Sequence, residues 1–221
     1  MPKFVQRFYP ERIWAFSEDK ASVYITFDDG PIPEVTPWVL DELKKHNAKA
    51  TFFCIGENIQ KHPGIFRRII LEGHSVGNHT FNHLNGWKTK TSEYVENVEK
   101  AGRQMEDSRL FNSEIVNRQS KIENHKSLLR PPYGKITSKQ AKILQKKGFK
   151  VVMWDILSYD YDATVSEEKC LQNVLENLEP GSVVVFHDSL KAEKNLRYVL
   201  PKVLEFIAEK KWFCKSIILN S

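Results

Sequence analysis

Several residues whose types suit catalysis fall in short clusters along the chain. Two aspartates, Asp28 and Asp29, follow an apolar segment and precede a Gly-Pro pair. Two histidines, His79 and His83, are separated by three residues, and a third, His187, ends another apolar run. One carboxylate and two imidazoles are the usual ligands of an open catalytic metal site, which keeps positions for water and substrate. A second carboxylate beside such a site can act as general base, and a more distant histidine as general acid.

Each cluster has a simpler interpretation when it is taken alone. Asp28 and Asp29 could form only a turn, because Asp and Gly are common in turns. The spacing of His79 and His83 fits two surface histidines as well as it fits a metal site, and His187 fits hydrogen-bonded packing. Together the clusters favour chemistry, because each lies at or just after the end of a predicted strand.

The segments between the clusters alternate between short apolar strands and amphipathic helices. The predicted strands are Ser22–Phe27, Ala50–Ile55, His74–Val76, Lys150–Trp154, Ser182–Phe186 and Phe213–Leu219. The predicted helices are Thr36–His46, Pro63–Leu71, Thr91–Met105, Ser138–Lys147, Ser166–Leu178 and Leu196–Lys210. Near-continuous apolar strands that alternate with helices predict an α/β fold with a parallel sheet covered by helices. In such folds, barrel or doubly wound, the chemistry gathers at the carboxyl ends of the strands.

The composition is that of a globular domain. The chain has 221 residues, of which 41% are hydrophobic and 28% charged, which excludes collagen-like and wholly disordered proteins. No stretch approaches the roughly 20 apolar residues that a membrane-spanning helix needs. The net charge of +5 is mild, and no basic run with interleaved aromatics indicates a nucleic-acid partner.

The cysteines and the first residues predict a cytoplasmic location. Cys54, Cys170 and Cys214 are odd in number and have no CxxC spacing, so reduced thiols are expected rather than disulfides or a cysteine-rich zinc site. The first twelve residues carry charges without the apolar segment of a secretory signal.

Five motifs resemble those of the polysaccharide deacetylases of carbohydrate esterase family 4, which contain the NodB homology domain. They are TFDDG at 26–30, HTFNH at 79–83, RPPYG at 130–134, WDILSYDY at 154–161 and VFHD at 185–188. All five occur in the order that the family has. The resemblance implies a distorted (β/α) barrel in a single domain over residues 1–221, with the motif core at about 22–188.

The resemblance also implies roles for individual residues. Asp29, His79 and His83 match the family's metal ligands, which usually bind Zn²⁺. The catalytic matches are Asp28 as general base, Arg130 as the residue that orients it, His187 as general acid, Asp160 as the carboxylate that supports the Arg and His network, and Tyr133 as the source of a backbone N–H for the oxyanion hole. Val185 matches an apolar position of the acetyl pocket.

The sequence departs from the family pattern at three places. Leu157 stands where the family often has an aspartate, and Tyr161 stands where it often has a tryptophan. Asp155 is a candidate for partial replacement of the missing carboxylate. The charged segment 109–126 is longer than the family's usual approach to the RPPYG loop, and it is predicted to form a surface excursion from the barrel.

The implied function is metal-dependent hydrolysis of N-acetyl groups on an amino-sugar polysaccharide or oligosaccharide, peptidoglycan-like or chitin-like, with release of acetate. The expected partner is therefore an acetylated carbohydrate. An O-acetyl esterase, or a hydrolase of another C–N bond on the same scaffold, is the main alternative. A non-catalytic carbohydrate-binding protein is a weaker one, because the residues of the implied site are intact. A structural α/β domain whose motifs are only turns and packed histidines is weaker still.

Overall fold

A parallel β-sheet forms the centre of the protein, for which a computed structural model describes residues 3–110 and 128–219. Its strands are β1 (Ser22–Asp28), β2 (Thr51–Cys54), β3 (Ser75–Asn78), β4 (Leu128–Leu129), β5 (Lys150–Val151), β6 (Ile156–Leu157), β7 (Val183–His187) and β8 (Phe213–Cys214). The helices are α1 (Lys3–Phe8), α2 (Thr36–Lys45), α3 (Gly56–Lys61), α4 (Pro63–Leu71), α5 (Thr91–Leu110), α6 (Ser138–Lys146), α7 (Glu167–Leu175) and α8 (Glu193–Glu209). Single turns of 3-10 helix occur at Gly86–Lys88 and Pro132–Gly134.

The strand order is that of an incomplete barrel. The strands lie in the order β5-β4-β3-β2-β1-β7-β6, and all the pairs are parallel. The first strand, β1, pairs with both β2 and β7, as it would in a closing barrel. The two residues of β8 pair with the first two residues of β1. Within the described ranges, β5 and β6 do not pair, so the barrel is open between them. This architecture confirms the predicted α/β class and the distorted (β/α) barrel.

The N-terminal segment contributes to the open side of the barrel. Ile13 forms a parallel bridge with Val152, and its backbone N–H donates to the carbonyl of Val151 at 2.9 Å. The N–H of Met153 donates in turn to the carbonyl of Ile13 at 2.7 Å. The edge of β5 is therefore covered by residues that precede the first strand, which the sequence patterns did not predict.

Strand alternation separates two hydrophobic clusters and aims the polar side chains. On β1, Val23, Ile25 and Phe27 pack in a cluster with residues of α2, α4 and α8. The intervening Tyr24 belongs to the second cluster, which continues to α5 and α6. Because successive strand residues point to opposite faces, Asp28 shares the face of Tyr24. His187 likewise shares the face of Val183 on β7, so the two polar residues emerge on the same side of the sheet.

Several predicted strands are shorter than the apolar runs that suggested them. The run predicted at Lys150–Trp154 pairs as a strand only at Lys150–Val151. Its next two carbonyls, of Val152 and Met153, accept hydrogen bonds from a buried arginine side chain, Arg130. The C-terminal run at 213–219 is a strand only at Phe213–Cys214. Apolar composition therefore marked burial, whereas pairing partners set the strand lengths.

Four smaller sequence-based predictions, on a helix start, the cysteines, membrane helices and the segment 109–126, can be compared with the structure. Ser166, at which a helix was predicted to begin, caps α7, since its side chain accepts from the N–H of Lys169 at 3.2 Å. None of the three cysteines forms a disulfide: Cys54 and Cys170 are buried, and Cys214 is half-buried. No described helix is both long and apolar enough for a bilayer crossing. The predicted excursion at 109–126 lies outside the described residues, except that 109–110 end α5.

Candidate active site

The two neighbouring aspartates reach the same cavity because the chain turns sharply between them. Asp28 ends β1, and Asp29 has a φ of 83°, in the left-handed region that few non-glycine residues adopt. In a continuing strand the two side chains would point to opposite faces. The amide of Asn58 donates to the carbonyl of Asp29 at 2.8 Å and holds this turn.

A buried carboxylate fixes the loop that follows. Asp188 accepts a hydrogen bond from the N–H of Gly30 at 3.0 Å and another from the hydroxyl of Thr36 at 2.6 Å. A Cβ on Gly30 would lie 2.0 Å from Oδ2 of Asp188, so only glycine fits there. Burial raises the pKa of Asp188 to about 8, and the charge of Asp29 adds to the rise. Sequence reasoning placed Asp188 in a motif but gave it no role.

The two candidate metal-binding histidines lie on a tight loop after β3. Thr80 and His83 have φ values of 64° and 60°, so the three-residue spacing serves a turn rather than a helix face. The side chain of Asn78 accepts from the N–H of Thr80 at 2.8 Å and donates to the carbonyl of Val98 in α5. This anchoring fixes the position of the loop relative to the sheet.

Asp29, His79 and His83 converge as a metal site requires. Their ligand atoms all lie within 4.8 Å of one another. The Oδ1 atom of Asp29 lies 3.6 Å from Nε2 of His79 and 3.2 Å from Nε2 of His83, yet it is buried and accepts no hydrogen bond. A buried carboxylate oxygen without a donor is costly unless a cation satisfies it. The arrangement therefore fits a divalent ion.

The state of His79 suits a ligand. Its Nδ1 lies 2.8 Å from the carbonyl oxygen of Arg130, so Nδ1–H donates and Nε2 keeps its lone pair on the side of Asp29. Burial lowers the pKa of His79 to about 4, so the ring is neutral at physiological pH. His83 has Nδ1 at 3.1 Å from the hydroxyl of Tyr133. Partners that hold the second ring nitrogen are typical of metal-binding histidines.

Asp28 is held by an arginine that is fully buried. Nη1 of Arg130 donates to Oδ1 of Asp28 at 2.8 Å and to the hydroxyl of Thr26 at 2.6 Å. The guanidinium also donates to the carbonyls of Val152 at 3.3 Å and Met153 at 2.8 Å. Every one of these partners is itself buried, so Asp28 has one fixed orientation.

Thr26 is a functional residue that the sequence reasoning missed. Its hydroxyl donates to the carbonyl of Val184 at 2.7 Å and accepts from Arg130, so it aligns the guanidinium with β7. The available signal was strand alternation, since Thr26 lies two residues before Asp28 and therefore on the same face.

His187 and Asp160 form a second buried pair at the cavity. Asp160 accepts from Nδ1–H of His187 and from the backbone N–H of the same residue, both at 2.8 Å. Burial opposes the charged ring, but the Asp160 carboxylate outweighs it and raises the pKa of His187 to about 9. The carboxylate of Asp160 binds His187, and its backbone binds Ser158 and Asn195, whereas the described bonds of Arg130 go elsewhere. Asp160 thus acts on the His187 side of the site.

The residues that depart from the family pattern line the cavity or support its wall. Leu157 lines it, and the ring of Tyr161 meets the ring of His187 edge-on at 4.8 Å. Asp155 does not replace a carboxylate there, because its Oδ1 accepts from the N–H of Val183 at 2.7 Å. This hydrogen bond joins β6 to β7 and leaves Leu157 as an apolar wall.

The cavity has a volume of about 540 Å³, which is enough for a sugar-sized ligand. Its lining residues are Asp28, Asp29, His79, His83, Tyr133, Lys135, Trp154, Leu157, Tyr161, Val185, His187, Ser189 and Lys191. The carboxylates and imidazoles come from the ends of β1, β3 and β7, and Tyr133 and Lys135 come from the loop after β4. All the predicted site residues either line this cavity or, like Arg130 and Asp160, bind a residue that does.

Known proteins are similar to this chain in sequence and fold. A family model described as polysaccharide deacetylase matches residues 17–152. A peptidoglycan-N-acetylglucosamine deacetylase of Bacillus cereus is 42% identical over 178 residues, which are 80% of this chain and 60% of that relative. A chitooligosaccharide deacetylase of Azorhizobium caulinodans is 36% identical over 172 residues, which are 78% of this chain and 76% of that relative.

A solved structure extends the likeness over almost the whole chain. It is the crystal structure of a peptidoglycan N-acetylglucosamine deacetylase in complex with 4-naphthalen-1-yl-N-oxidanyl-benzamide. The TM-score is 0.81 at 34% identity, and the match covers 98% of this chain and 95% of that chain. The described barrel is therefore similar to the fold of that deacetylase.

Proposed function

Since the chain belongs to the polysaccharide deacetylase family, we propose that it hydrolyses N-acetyl groups of an amino-sugar polysaccharide or oligosaccharide and releases acetate. One observation carries the proposal: three groups of side chains with different chemical roles meet at one cavity. They are the convergent triad of Asp29, His79 and His83, the oriented carboxylate of Asp28, and the imidazole of His187 with its own carboxylate. Amide hydrolysis needs an activated water, a stabilised oxyanion and a proton for the amine.

The triad is assigned to a metal ion, with zinc as the expected one. Nitrogen and oxygen donors in a set of three protein ligands suit catalytic Zn²⁺. The fit rests on the unsatisfied Oδ1 of Asp29 and on the free lone pair at Nε2 of His79. When bound, such an ion polarises the acetyl carbonyl and lowers the pKa of a water molecule.

Asp28 is assigned as the general base. Arg130 occupies its Oδ1, which leaves Oδ2 to take the proton of the attacking water. Because Arg130 is buried and held by four oxygen acceptors, it fixes the direction in which Asp28 faces the cavity. Fixed orientation is part of the rate gain that acid–base catalysis gives.

His187 is assigned as the general acid. Its Nδ1–H is engaged with Asp160, so the proton that reaches the leaving amine is the one on Nε2. The pKa of about 9 keeps that proton on the ring at neutral pH. Once that proton is on the nitrogen, the C–N bond can break and the sugar leaves as a neutral amine rather than as an amide anion.

The remaining walls receive the acetyl group. The backbone N–H of Tyr133, at a φ of 61°, has no acceptor among the described residues and lies at the cavity, so it is the candidate oxyanion donor. Trp154, Leu157 and Val185 provide the apolar surface for the methyl group. The resemblance implied the roles of Tyr133 and Val185, whereas those of Trp154 and Leu157 come from the cavity lining.

Acetate release tests the proposal. The purified protein is incubated with N-acetylated chito-oligomers and with O-acetylated xylan, each with zinc and after exhaustive chelation. We expect acetate from the chito-oligomers only, with loss on chelation and recovery with zinc. Acetate from xylan alone would identify an O-acetyl esterase. Oligosaccharide binding without any acetate release would identify a non-catalytic carbohydrate-binding protein.

A further inference from the structure

We infer that the side-chain hydroxyl of Tyr133 is a positioning group for the metal centre. Its oxygen accepts a hydrogen bond from Nδ1–H of His83 and so keeps the other ring nitrogen, Nε2, free to bind the ion. The inference rests on the metal assignment within the proposed function and deepens it. The proposed reaction uses only the backbone N–H of Tyr133, so the side chain has a task of its own.

The two histidines of the triad have different partners at their second ring nitrogen. The His79 side chain is 3% exposed, and its Nδ1 lies 2.8 Å from the carbonyl oxygen of Arg130. A carbonyl oxygen can only accept, so this partner alone places the proton on Nδ1. The His83 side chain is 27% exposed, and its Nδ1 lies 3.1 Å from the hydroxyl of Tyr133, which can accept or donate. Among the residues that the structure describes, this hydroxyl is the one hydrogen-bond partner of that nitrogen.

The direction of the hydrogen bond between His83 and Tyr133 follows from the position of Nε2. That nitrogen lies 3.2 Å from Oδ1 of Asp29, so it is the one turned toward the triad. A ring nitrogen that binds a metal ion needs its lone pair, and a neutral ring then carries its proton on the other nitrogen. The hydroxyl oxygen of Tyr133 therefore accepts from Nδ1–H. If the hydroxyl donated instead, the proton would lie on Nε2 and occupy the ligand position.

The turn that carries Tyr133 holds its side chain beside His83. Tyr133 has a φ of 61°, and the N–H of Gly134 donates to the carbonyl of Pro131 at 2.9 Å. A Cβ on Gly134 would lie 2.9 Å from Cη2 of Trp154, so the turn packs closely against that indole. From this backbone the Tyr133 ring meets the His83 ring edge-on, with 4.6 Å between the ring centres and 64° between the planes. The hydroxyl is thus placed by contacts that do not depend on the hydrogen bond itself.

One loop, the one after β4, supplies the partners of both histidines. The carbonyl of Arg130 holds His79, and the hydroxyl of Tyr133 holds His83. The N–H of Arg130 donates to the carbonyl of Asn78 at 3.0 Å, which ties the loop to the strand that precedes the histidines. The two supports differ in one practical respect. A side-chain substitution cannot remove the carbonyl, whereas Tyr133→Phe removes the hydroxyl alone.

An exposed tyrosine at a binding cavity also has a simpler explanation. Tyr133 is 60% exposed, so its ring could contact the substrate while its hydroxyl met only water. Loss of the hydroxyl would then change substrate binding and leave the affinity for zinc unchanged. A measurement of zinc affinity without substrate therefore separates the two explanations.

The experiment measures the zinc dissociation constant by competition with a chelator of known affinity, in the absence of any sugar. The variant is Tyr133→Phe, which keeps the ring, its contact with His83 and the backbone N–H. The matched control is Tyr159→Phe, which removes the hydroxyl of another exposed tyrosine, in the loop after β6. Proton and nitrogen NMR of the zinc-loaded proteins, labelled in the histidine rings, then reports how fast each Nδ1–H exchanges with solvent.

We expect Tyr133→Phe to raise the zinc dissociation constant about tenfold. Loss of a partner behind a metal-binding histidine typically costs about 10–100-fold in metal affinity. The lower end of this range is expected because water can reach the half-exposed His83 and replace the hydroxyl. The Nδ1–H of His83 should exchange faster in the variant, whereas that of His79 should not change, because its acceptor is a backbone carbonyl. Tyr159→Phe should keep the wild-type affinity.

Equal zinc affinity in Tyr133→Phe and the wild type would overturn the inference, and so would an equal loss in Tyr159→Phe. A His79 signal that changes as much as that of His83 would show that the whole loop had moved, which also counts against it. A wild type that binds no zinc would refute the metal assignment together with the inference. A wild type that binds zinc but releases no acetate would refute the proposed function alone, because the zinc measurements use no substrate.

Discussion

Replacing Asp28 with asparagine separates the general base from the metal ligands. The side chain keeps its shape and an oxygen that can accept from Nη1 of Arg130, but it can no longer take a proton. We expect the rate of acetate release to fall by at least the roughly 10²–10⁴-fold that general acid–base catalysis supplies. Zinc should remain bound at full occupancy, because Asp29, and not Asp28, lies within reach of the two histidines.

Asp28→Asn should also lower the free energy of unfolding, because the ion pair of Asp28 with Arg130 is buried. Arg130 is fully buried, and its other acceptors are neutral oxygens, so Asn would leave the guanidinium charge without a counterion. Breaking a buried ion pair typically costs about 3–5 kcal/mol. We expect the lower end of this range, about 3 kcal/mol, because the asparagine oxygen still accepts the hydrogen bond from Arg130. For a chain of this size that lowers Tm by roughly 6–12 °C.

The assay combines acetate release, zinc content by mass spectrometry and thermal unfolding, all on one preparation. The rate is measured well below the lowered Tm, so that unfolding does not imitate a catalytic defect. Asp28→Asn that loses zinc together with activity would show that the two aspartates have exchanged roles. A variant with an unchanged rate would show that Asp28 is not the base.

Four further substitutions, with one control, test the rest of the site. His79→Ala should lose zinc and activity together, and full activity of chelated wild type would refute the metal assignment. Asp160→Asn removes the carboxylate that raises the pKa of His187 to about 9, so the alkaline fall of kcat/KM should move to lower pH. His187→Ala should keep zinc and flatten that limb, and an unmoved limb in Asp160→Asn would exclude His187 as the acid. Gly30→Ala should cost about 10²-fold in kcat/KM, because its Cβ would press on Asp188 and displace Asp29. The control Gly64→Ala meets nothing within 4 Å and should leave activity unchanged, so an equal loss there would refute the packing argument.

Much of the fold could be read from the sequence because parallel strands are apolar and end in polar motifs. The alternation of strands and helices predicted the α/β class with a parallel sheet, and the family resemblance implied the barrel. The runs that contain β1, β2 and β7 marked the centre of the sheet. The strands toward the edges of the sheet were harder to predict. The two-residue strands β4, β5 and β6 depend on pairing partners far away in the chain, and the cover of the β5 edge by Ile13 depends on a contact that no local pattern encodes.

The residue types of the candidate site could be predicted from the sequence. The turns and contacts that bring those residues together were less predictable. The carboxylate and histidine clusters indicated a metal and acid–base chemistry from their types alone. Their convergence depends on left-handed backbone at Asp29, Thr80 and His83, which are not glycines and therefore carry no sequence signal for that conformation. Tertiary contacts hold these turns in place, among them the carboxylate of Asp188 across 158 residues of chain from Gly30.

The leucine at position 157 bears on the stability prediction for Asp28→Asn. With leucine there, and with Asp155 bound to the backbone of β7, the described hydrogen bonds of Arg130 reach a single carboxylate. The neutral oxygens of Thr26, Val152 and Met153 satisfy its other N–H groups but not its charge. The cation therefore depends on Asp28 more than it would with a second acid nearby. Introducing an acid by Leu157→Asp should reduce the stability loss of Asp28→Asn, and a double-mutant cycle measures this coupling. A coupling energy of zero would refute the argument.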